Sequence, residues 1–153
     1  MSIPPPWFRK VENVISYLDT SFLMKLYILE PESQRAADII VRNRSEPVIS
    51  WLSEVEMASA LYARAASMLP TDTAAAAYRE FRRNANLYKS APIDGAVFDL
   101  ARSLAEKHGQ TLRVRALDVL HIAAALRFDA EGFGTFDSRQ AVLAEKVGLK
   151  LLR

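Results

Sequence analysis

The chain has 153 residues, of which half are hydrophobic and a quarter are charged, so it suits one globular domain with its own core. Cysteine is absent, which excludes disulfide bonds and thiolate metal sites, and no stretch approaches the roughly 20 apolar residues that span a bilayer. The net charge of +2 permits a nucleic-acid partner without requiring one, and we expect a cytoplasmic protein with no membrane partner.

The predicted elements follow a leader over residues 1–12, where a proline run prevents helix and the apolar stretch of a signal peptide is missing. A single domain is predicted over residues 13–153. Hydrophobic patterns predict strands, in chain order, at residues 14–18, 47–50, 91–93, 132–136 and 148–152. Helices are predicted between them at residues 20–29, 31–41, 53–68, 70–88, 94–108, 118–128 and 138–147. This alternation indicates an α/β fold with a small, mostly parallel sheet covered by helices.

Four carboxylates occupy one kind of position in this pattern. Asp19 and Asp137 each follow a predicted buried strand, and Glu56 and Asp118 each fall in the predicted first turn of a helix. In a parallel sheet these positions lie along the carboxyl-terminal edge, where ligands bind. Taken singly, each acid is better explained as a helix cap, with Glu56 as half of a capping box that begins at Ser53. If they converge, their mutual repulsion recruits a cation, and the oxygen ligands select Mg²⁺ or Mn²⁺ over Zn²⁺.

Only one of the two neighbouring acids of the third helix can face such a pocket, because Glu54 and Glu56 point roughly 200° apart on a helix. We select Glu56 for its predicted position in the capping box and regard Glu54 as solvated. His121 shares a helix face with Asp118 and is interpreted either as a substrate contact or proton relay, or as a hydrogen-bonded helix histidine, the more common case. His108 precedes Gly109 at a predicted helix end and receives no chemical role.

Four further residues are candidates for substrate binding. The hydroxyls of Ser21 and Ser138 either position a metal-bound water or cap helices. Arg113 and Arg115 stand close to Asp118 and are candidate phosphate contacts, although solvated loop arginines would have the same pattern.

Four segments carry a family resemblance, in order and with their acids in register: YLDTSFLMKL, ISWLSEVEMASAL, RALDVLHIAAAL and GTFDSRQAVLAEKVGLKLL. Together they resemble the PIN-domain ribonucleases, specifically the VapC-type toxins of bacterial and archaeal toxin–antitoxin pairs. The resemblance implies a three-layer α/β/α PIN-like domain and a homodimeric endoribonuclease that depends on Mg²⁺ or Mn²⁺ and is inhibited by a small antitoxin protein. It also implies that the catalytic, metal-binding residues are Asp19, Glu56, Asp118 and Asp137.

Other functions remain as alternatives. A catalytically weak PIN-like module that binds RNA or protein without cleavage is the main one, although the presence of all four acids argues against it. Aspartate phosphatases of the D-x-D-x-T kind are disfavoured, because the position two after Asp19 is Ser21. Receiver domains need a clustered acidic pair and a late lysine, neither of which is evident. A DNA nuclease of the same broad fold is harder to separate, and the short chain favours RNA.

Overall fold

A computed structural model of the chain describes Pro5 and residues 14–153. The predicted leader over residues 1–12 therefore lies outside the described residues, apart from Pro5. Within the described residues, the chain forms one parallel sheet of five strands and seven α-helices. No helix in this part of the chain combines the length and hydrophobicity needed to cross a bilayer.

The strands are β1 (Val14–Leu18), β2 (Ser45–Ser50), β3 (Lys89–Ala91), β4 (Gly132–Gly134) and β5 (Lys150–Leu151). They pair in the order β3-β2-β1-β4-β5, and all four pairings are parallel. The central strand β1 aligns Tyr17 with Val48 of β2 on one side and with Phe133 of β4 on the other. The predicted small parallel sheet is confirmed, although β2 begins two residues earlier than predicted, β3 lies two residues earlier, and β4 and β5 are shorter than predicted.

Helices cover both faces of the sheet, because alternate strand residues point to opposite sides. Leu18 and Ile49 pack against the first four helices, while Tyr17, Val48 and Phe133 pack against the last three. The helices are α1 (Thr20–Tyr27), α2 (Ser33–Arg42), α3 (Trp51–Ala65), α4 (Thr71–Asn84), α5 (Gly95–Leu112), α6 (Ala116–Arg127) and α7 (Ser138–Lys146). A short 3-10 turn, Ala85–Leu87, separates α4 from β3. The three-layer α/β/α arrangement is confirmed.

The predicted capping box at Ser53 is wrong, because α3 begins earlier. Strand β2 leads directly into the helix, and Ser50 is the N-cap in extended conformation. The backbone N–H of Ser50 donates to the hydroxyl of Ser53 at 3.4 Å, so Ser53 is the third helical residue. Glu56 consequently lies in the second turn of α3, not the first, and it is free of any capping role.

The predicted end of α5 at His108 and Gly109 is also wrong. The helix continues through Gly109 to Leu112, and Arg113 takes the left-handed conformation, with φ of 50°, that terminates it. A glycine inside a helix costs only about 1 kcal/mol relative to alanine, so it does not by itself end one. His108 therefore lies inside α5 and not at its carboxyl terminus.

Strands β1 and β4 meet where the chain topology changes direction. From β1 the chain moves to β2 and β3 on one side, and later returns to β4 and β5 on the other. Such switch points leave a crevice outside the carboxyl ends of the strands, where ligands bind in open α/β sheets. Close packing here requires Gly134, since a Cβ at that position would lie 2.7 Å from Cδ2 of Leu18.

Candidate active site

Asp19 lies at the switch point, immediately after β1, and is completely buried. Its Oδ1 caps α1 by accepting the backbone N–H of Phe22 at 2.9 Å and also accepts the Ser21 hydroxyl at 2.7 Å. Its Oδ2 accepts the Thr135 hydroxyl at 2.5 Å. Burial raises the pKa of Asp19, against the opposing effect of the hydrogen bond from Thr135. Asp19 therefore caps α1 as one interpretation predicted. A capping role alone does not require the carboxylate to be fully buried.

Asp137 follows β4, the strand next to β1, and is the N-cap of α7. Its Oδ1 accepts the backbone N–H groups of Arg139 and Gln140 at 2.8 and 3.2 Å. Desolvation acts to raise the pKa of Asp137, but these two hydrogen bonds and the Arg139 guanidinium outweigh it and lower the pKa overall. Asp137 is therefore an ionised, partly exposed carboxylate at the same sheet edge as Asp19.

Thr135 links the two aspartates. Its hydroxyl donates to Asp19 and accepts the backbone N–H of Asp137 at 3.0 Å. The Ser21 hydroxyl reinforces this link by accepting the backbone N–H of Phe136 at 2.8 Å. Ser21 thus joins the ends of β1 and β4, and its predicted role in substrate binding stays a prediction.

Glu56 reaches the same region from α3. Its Oε2 accepts the Thr20 hydroxyl at 2.7 Å and is hydrogen-bonded to Nε2 of His121 on α6. Desolvation is the largest influence on the pKa of Glu56 and acts to raise it, but the hydrogen bonds with His121 and Thr20 lower the pKa overall. Glu56 is therefore held as a carboxylate between α1 and α6.

Asp118 is the third residue of α6 and is buried to 8% exposure. Its Oδ2 accepts the backbone N–H of Arg115 at 2.8 Å, which satisfies a free donor at the start of the helix. Because residues three apart share a helix face, Asp118 lies on the side of α6 from which His121 contacts Glu56. The predicted first-turn position of Asp118 is confirmed.

Three further residues are predicted substrate contacts. Arg113 and Arg115 are exposed and form no ion pair with a described residue, and Ser138 is exposed at the first position of α7. Glu54 forms an ion pair with Arg82 of α4, so it is directed away from Glu56 as predicted. The substrate-binding roles of Arg113, Arg115 and Ser138 stay predictions.

The donor set suits a hard divalent cation in its chemistry. Asp19 is fully buried, yet its three hydrogen-bond donors are uncharged, so its negative charge lacks a directly bonded cationic partner. Carboxylate oxygens are the ligands that Mg²⁺ and Mn²⁺ prefer. In the part of the chain that the structure describes, however, no three acidic or histidine side chains already form a metal-ligand group. Metal ligation by Asp19, Glu56, Asp118 and Asp137 therefore stays a prediction.

Sequence reasoning missed two positioning hydroxyls, Thr20 and Thr135, and the contact partner Tyr17. Thr20 and Thr135 each stand within two residues of a predicted acid at a strand end, which was the available signal. No local pattern marks Tyr17, because its partner His121 is 104 residues away.

Comparison with known proteins decides the family. The sequence model of the PIN domain matches residues 16–146 of this chain. The chain belongs to the PIN domain family. It is 30% identical over 138 residues to Ribonuclease VapC46 of Mycobacterium tuberculosis, which covers 89% of this chain and 95% of that protein. The family resemblance predicted from the four segments is confirmed.

Two solved structures share the PIN fold seen here. The first is Mycobacterium tuberculosis VapC20, described as a sarcin–ricin loop cleaving toxin, with a TM-score of 0.67 and 16% identity over 83% of this chain and 93% of that chain. The second is FitAcB from Neisseria gonorrhoeae, with a TM-score of 0.61 and 15% identity over 91% of this chain and 97% of that chain. At these identities the likeness concerns the fold alone.

Proposed function

We propose that this PIN domain protein is a metal-dependent endoribonuclease and the toxin of a toxin–antitoxin pair. The observation that carries the proposal is the burial of Asp19 at the switch point, joined through Thr135 to the turn that carries Asp137. A fully buried carboxylate with only uncharged donors is costly unless a cation compensates it. The ribonuclease relative, aligned along most of both chains, supports phosphodiester hydrolysis as the reaction.

The four acids would hold Mg²⁺ or Mn²⁺ at the carboxyl edge of the sheet. When bound, such an ion supplies positive charge to the phosphodiester and lowers the pKa of a coordinated water. The protein's own contribution is to fix its carboxylates beforehand. Asp19 is fixed by the start of α1 and by Thr135, and Glu56 by Thr20 and His121. These hydrogen bonds hold both carboxylates at the sheet edge before a substrate arrives.

RNA would approach along the edge that carries Arg113 and Arg115. Both guanidinium groups are exposed, and neither is neutralised by an acidic group of the described residues. Arginine recognises phosphate oxygens through paired N–H donors, and such contacts position the substrate without reading its sequence. Selectivity for a particular RNA would come from the shape of the groove and from contacts to unpaired bases.

The direct test is cleavage of a panel of structured RNAs by the purified protein with Mg²⁺, compared with the Asp118→Asn variant. We expect cleavage by the wild type, no cleavage by Asp118→Asn and no cleavage in EDTA. The matched control is Asp99→Asn, because Asp99 is an exposed acid of α5 paired with Arg102. Cleavage by Asp118→Asn at the wild-type rate would refute the proposed site.

A PIN-like module that binds RNA or protein without cleavage is the second candidate. The observation that favours it is the lack of a ready-made three-ligand metal group among the described residues. The same experiment separates the two functions. Protein that binds Mn²⁺ and RNA but cleaves no member of the panel would be a binding module.

A small antitoxin and a second copy of the chain are the partners proposed for this toxin. The adjacent upstream gene is expected to encode the antitoxin as a small DNA-binding protein with a basic, flexible tail. A homodimer is implied by the family resemblance, and two exposed apolar side chains near the starts of α3 and α5, Trp51 at 76% and Phe98 at 55% exposure, are candidates for its interface. Light scattering should give twice the monomer mass for the wild type and the monomer mass for the Trp51→Glu variant.

A further inference from the structure

A buried chain of hydrogen bonds runs from the centre of the sheet to Glu56. The hydroxyl of Tyr17, which is fully buried on β1, lies 2.8 Å from the Ser50 hydroxyl and 2.8 Å from Nδ1 of His121. The other ring nitrogen of His121, Nε2, is hydrogen-bonded to Oε2 of Glu56. The His121 side chain is only 2% exposed, whereas Glu56 reaches the edge of the site at 23%.

With a neutral imidazole at His121, the chemistry of these groups gives each hydrogen bond one direction. An ionised carboxylate can only accept, so Nε2 of His121 carries the hydrogen that is donated to Glu56. In a neutral imidazole Nδ1 is then the acceptor, and it takes the hydroxyl hydrogen of Tyr17. Burial raises the pKa of Tyr17, which keeps that hydrogen on the phenol. The Tyr17 oxygen then accepts the hydroxyl hydrogen of Ser50. Each hydrogen bond from Ser50 through Tyr17 and His121 is therefore donated in the direction of Glu56.

The hydrogen bonds to Glu56 involve only one of its two carboxylate oxygens, Oε2. Thr20 and His121 approach from α1 and α6, and both donate to Oε2. No hydrogen bond to Oε1 is found in the described part of the chain. The carboxylate is therefore held by one oxygen within the protein, which leaves the other for a ligand.

We infer that His121 is a positioning residue, oriented by Tyr17 and Ser50, that anchors Glu56 through Oε2 and leaves Oε1 for the divalent cation. The inference rests on the proposed function, because it assigns Glu56 to a metal site. Groups that orient metal ligands by hydrogen bonding commonly contribute about 10- to 100-fold to metal affinity or activity. A histidine that merely satisfied its own polar atoms in the core would have no such effect on the cation.

The first test reads the tautomer of His121 by nitrogen-15 NMR of the full chain labelled at histidine, without metal. The chain has two histidines, so the spectrum of His108→Gln assigns both rings. At a pH at which the histidine rings are neutral, we expect a single His121 tautomer with hydrogen on Nε2 in the wild type, and a loss of that preference in Tyr17→Phe. Tyr62→Phe, which changes an exposed tyrosine on α3, is the control and should leave the spectrum unchanged. Hydrogen on Nδ1 in the wild type, or an unchanged tautomer in Tyr17→Phe, would overturn the inference.

The second test measures Mn²⁺ affinity by calorimetry for two variants of nearly equal size. His121→Gln keeps a donor and an acceptor at the end of the side chain, whereas His121→Met keeps neither. We expect about a tenfold loss of Mn²⁺ affinity in His121→Met and substantial recovery in His121→Gln. In RNA cleavage at saturating metal, kcat should fall in His121→Met with little change in KM.

The two tests fail in different ways. If the wild type binds no Mn²⁺, the proposed function fails, while the NMR result still decides whether Tyr17 orients His121. If the wild type binds Mn²⁺ and His121→Met binds it equally well, the positioning role is wrong and the proposed function stands. Should His121→Met fail to fold, Tyr17→Phe replaces it in the metal titration, because its ring can still stack on Phe133. A few-fold weaker binding in Tyr17→Phe would then support the role, and unchanged binding would refute it.

Discussion

Thr135 donates its hydroxyl hydrogen to the buried carboxylate of Asp19 across the junction of the two central strands, at 2.5 Å. The same hydroxyl accepts the backbone N–H of Asp137. One short side chain therefore ties the acid after β1 to the turn after β4. Because those strands diverge in topology at this point, the link holds together the two walls of the crevice.

Replacing Thr135 by valine should destabilise the fold and slow cleavage together. Valine keeps the shape but removes the donor, which leaves Oδ2 of Asp19 buried without its partner. The expected loss is about 2 kcal/mol in the free energy of unfolding, measured with urea at neutral pH. RNA cleavage should fall by about tenfold, because Asp19 is no longer fixed. Thr135→Ser retains the hydroxyl and is the control, so equal losses in both variants would contradict the role given to this hydrogen bond.

Asp19→Asn should abolish cleavage and stabilise the metal-free protein at neutral pH. The folded state raises the pKa of Asp19, so between the unfolded and folded pKa values the folded protein binds more protons than the unfolded chain. The stability of the wild type relative to the variant is therefore greatest at low pH. It decreases as pH rises through the folded pKa, with a slope of at most about 1.4 kcal/mol per pH unit. Urea unfolding in EDTA across a pH series measures this difference.

Addition of Mg²⁺ should reverse the advantage of the Asp19→Asn variant. A cation that binds only the folded wild type adds about 2.7 kcal/mol at a concentration 100 times its Kd. The variant, which lacks the buried charge, should gain much less. Equal stabilisation of both proteins by Mg²⁺ would place the cation elsewhere.

Strand and helix patterns predicted the sheet edge on which the site is built. Asp19 and Asp137 follow short apolar strands and precede helices, and a parallel sheet brings such positions to one edge. The start of α3 was misplaced because Ser50 and Ser53 both suit an N-cap. Only the geometry of β2 running straight into the helix distinguishes them.

Contacts between distant parts of the chain could not be predicted in this way. His121 is hydrogen-bonded within the fold, which agrees with one of its two interpretations, but its partners Tyr17 and Glu56 lie 104 and 65 residues away. Helical periodicity places a residue on a face without naming what that face meets. The same limit applies to Thr135, whose importance arises from the pairing of β1 with β4.

The neighbouring acids of α3 offer a matched pair of substitutions. Glu56→Gln should reduce cleavage by at least tenfold, because the amide brings a donor towards His121 and Thr20 and removes a predicted metal ligand. Glu54→Gln changes the same group two residues earlier, where it pairs with exposed Arg82 and is worth at most about 1 kcal/mol. Cleavage by Glu54→Gln should match the wild type under identical metal and RNA concentrations. A larger defect in Glu54→Gln than in Glu56→Gln would reverse the assignment.

Arg115→Ala should weaken RNA binding without affecting the acids. The backbone N–H that Arg115 donates to Asp118 is retained in alanine, so the start of α6 should persist. Loss of one phosphate contact lowers affinity for all RNA sequences alike and reduces the slope of log affinity against log salt by about 1. Both effects are measured by salt titration in an Asp19→Asn background, which is expected to prevent cleavage. Arg102→Ala is the control, because Arg102 is exposed on α5 and paired with Asp99; an unchanged slope in Arg115→Ala would exclude it as a phosphate contact.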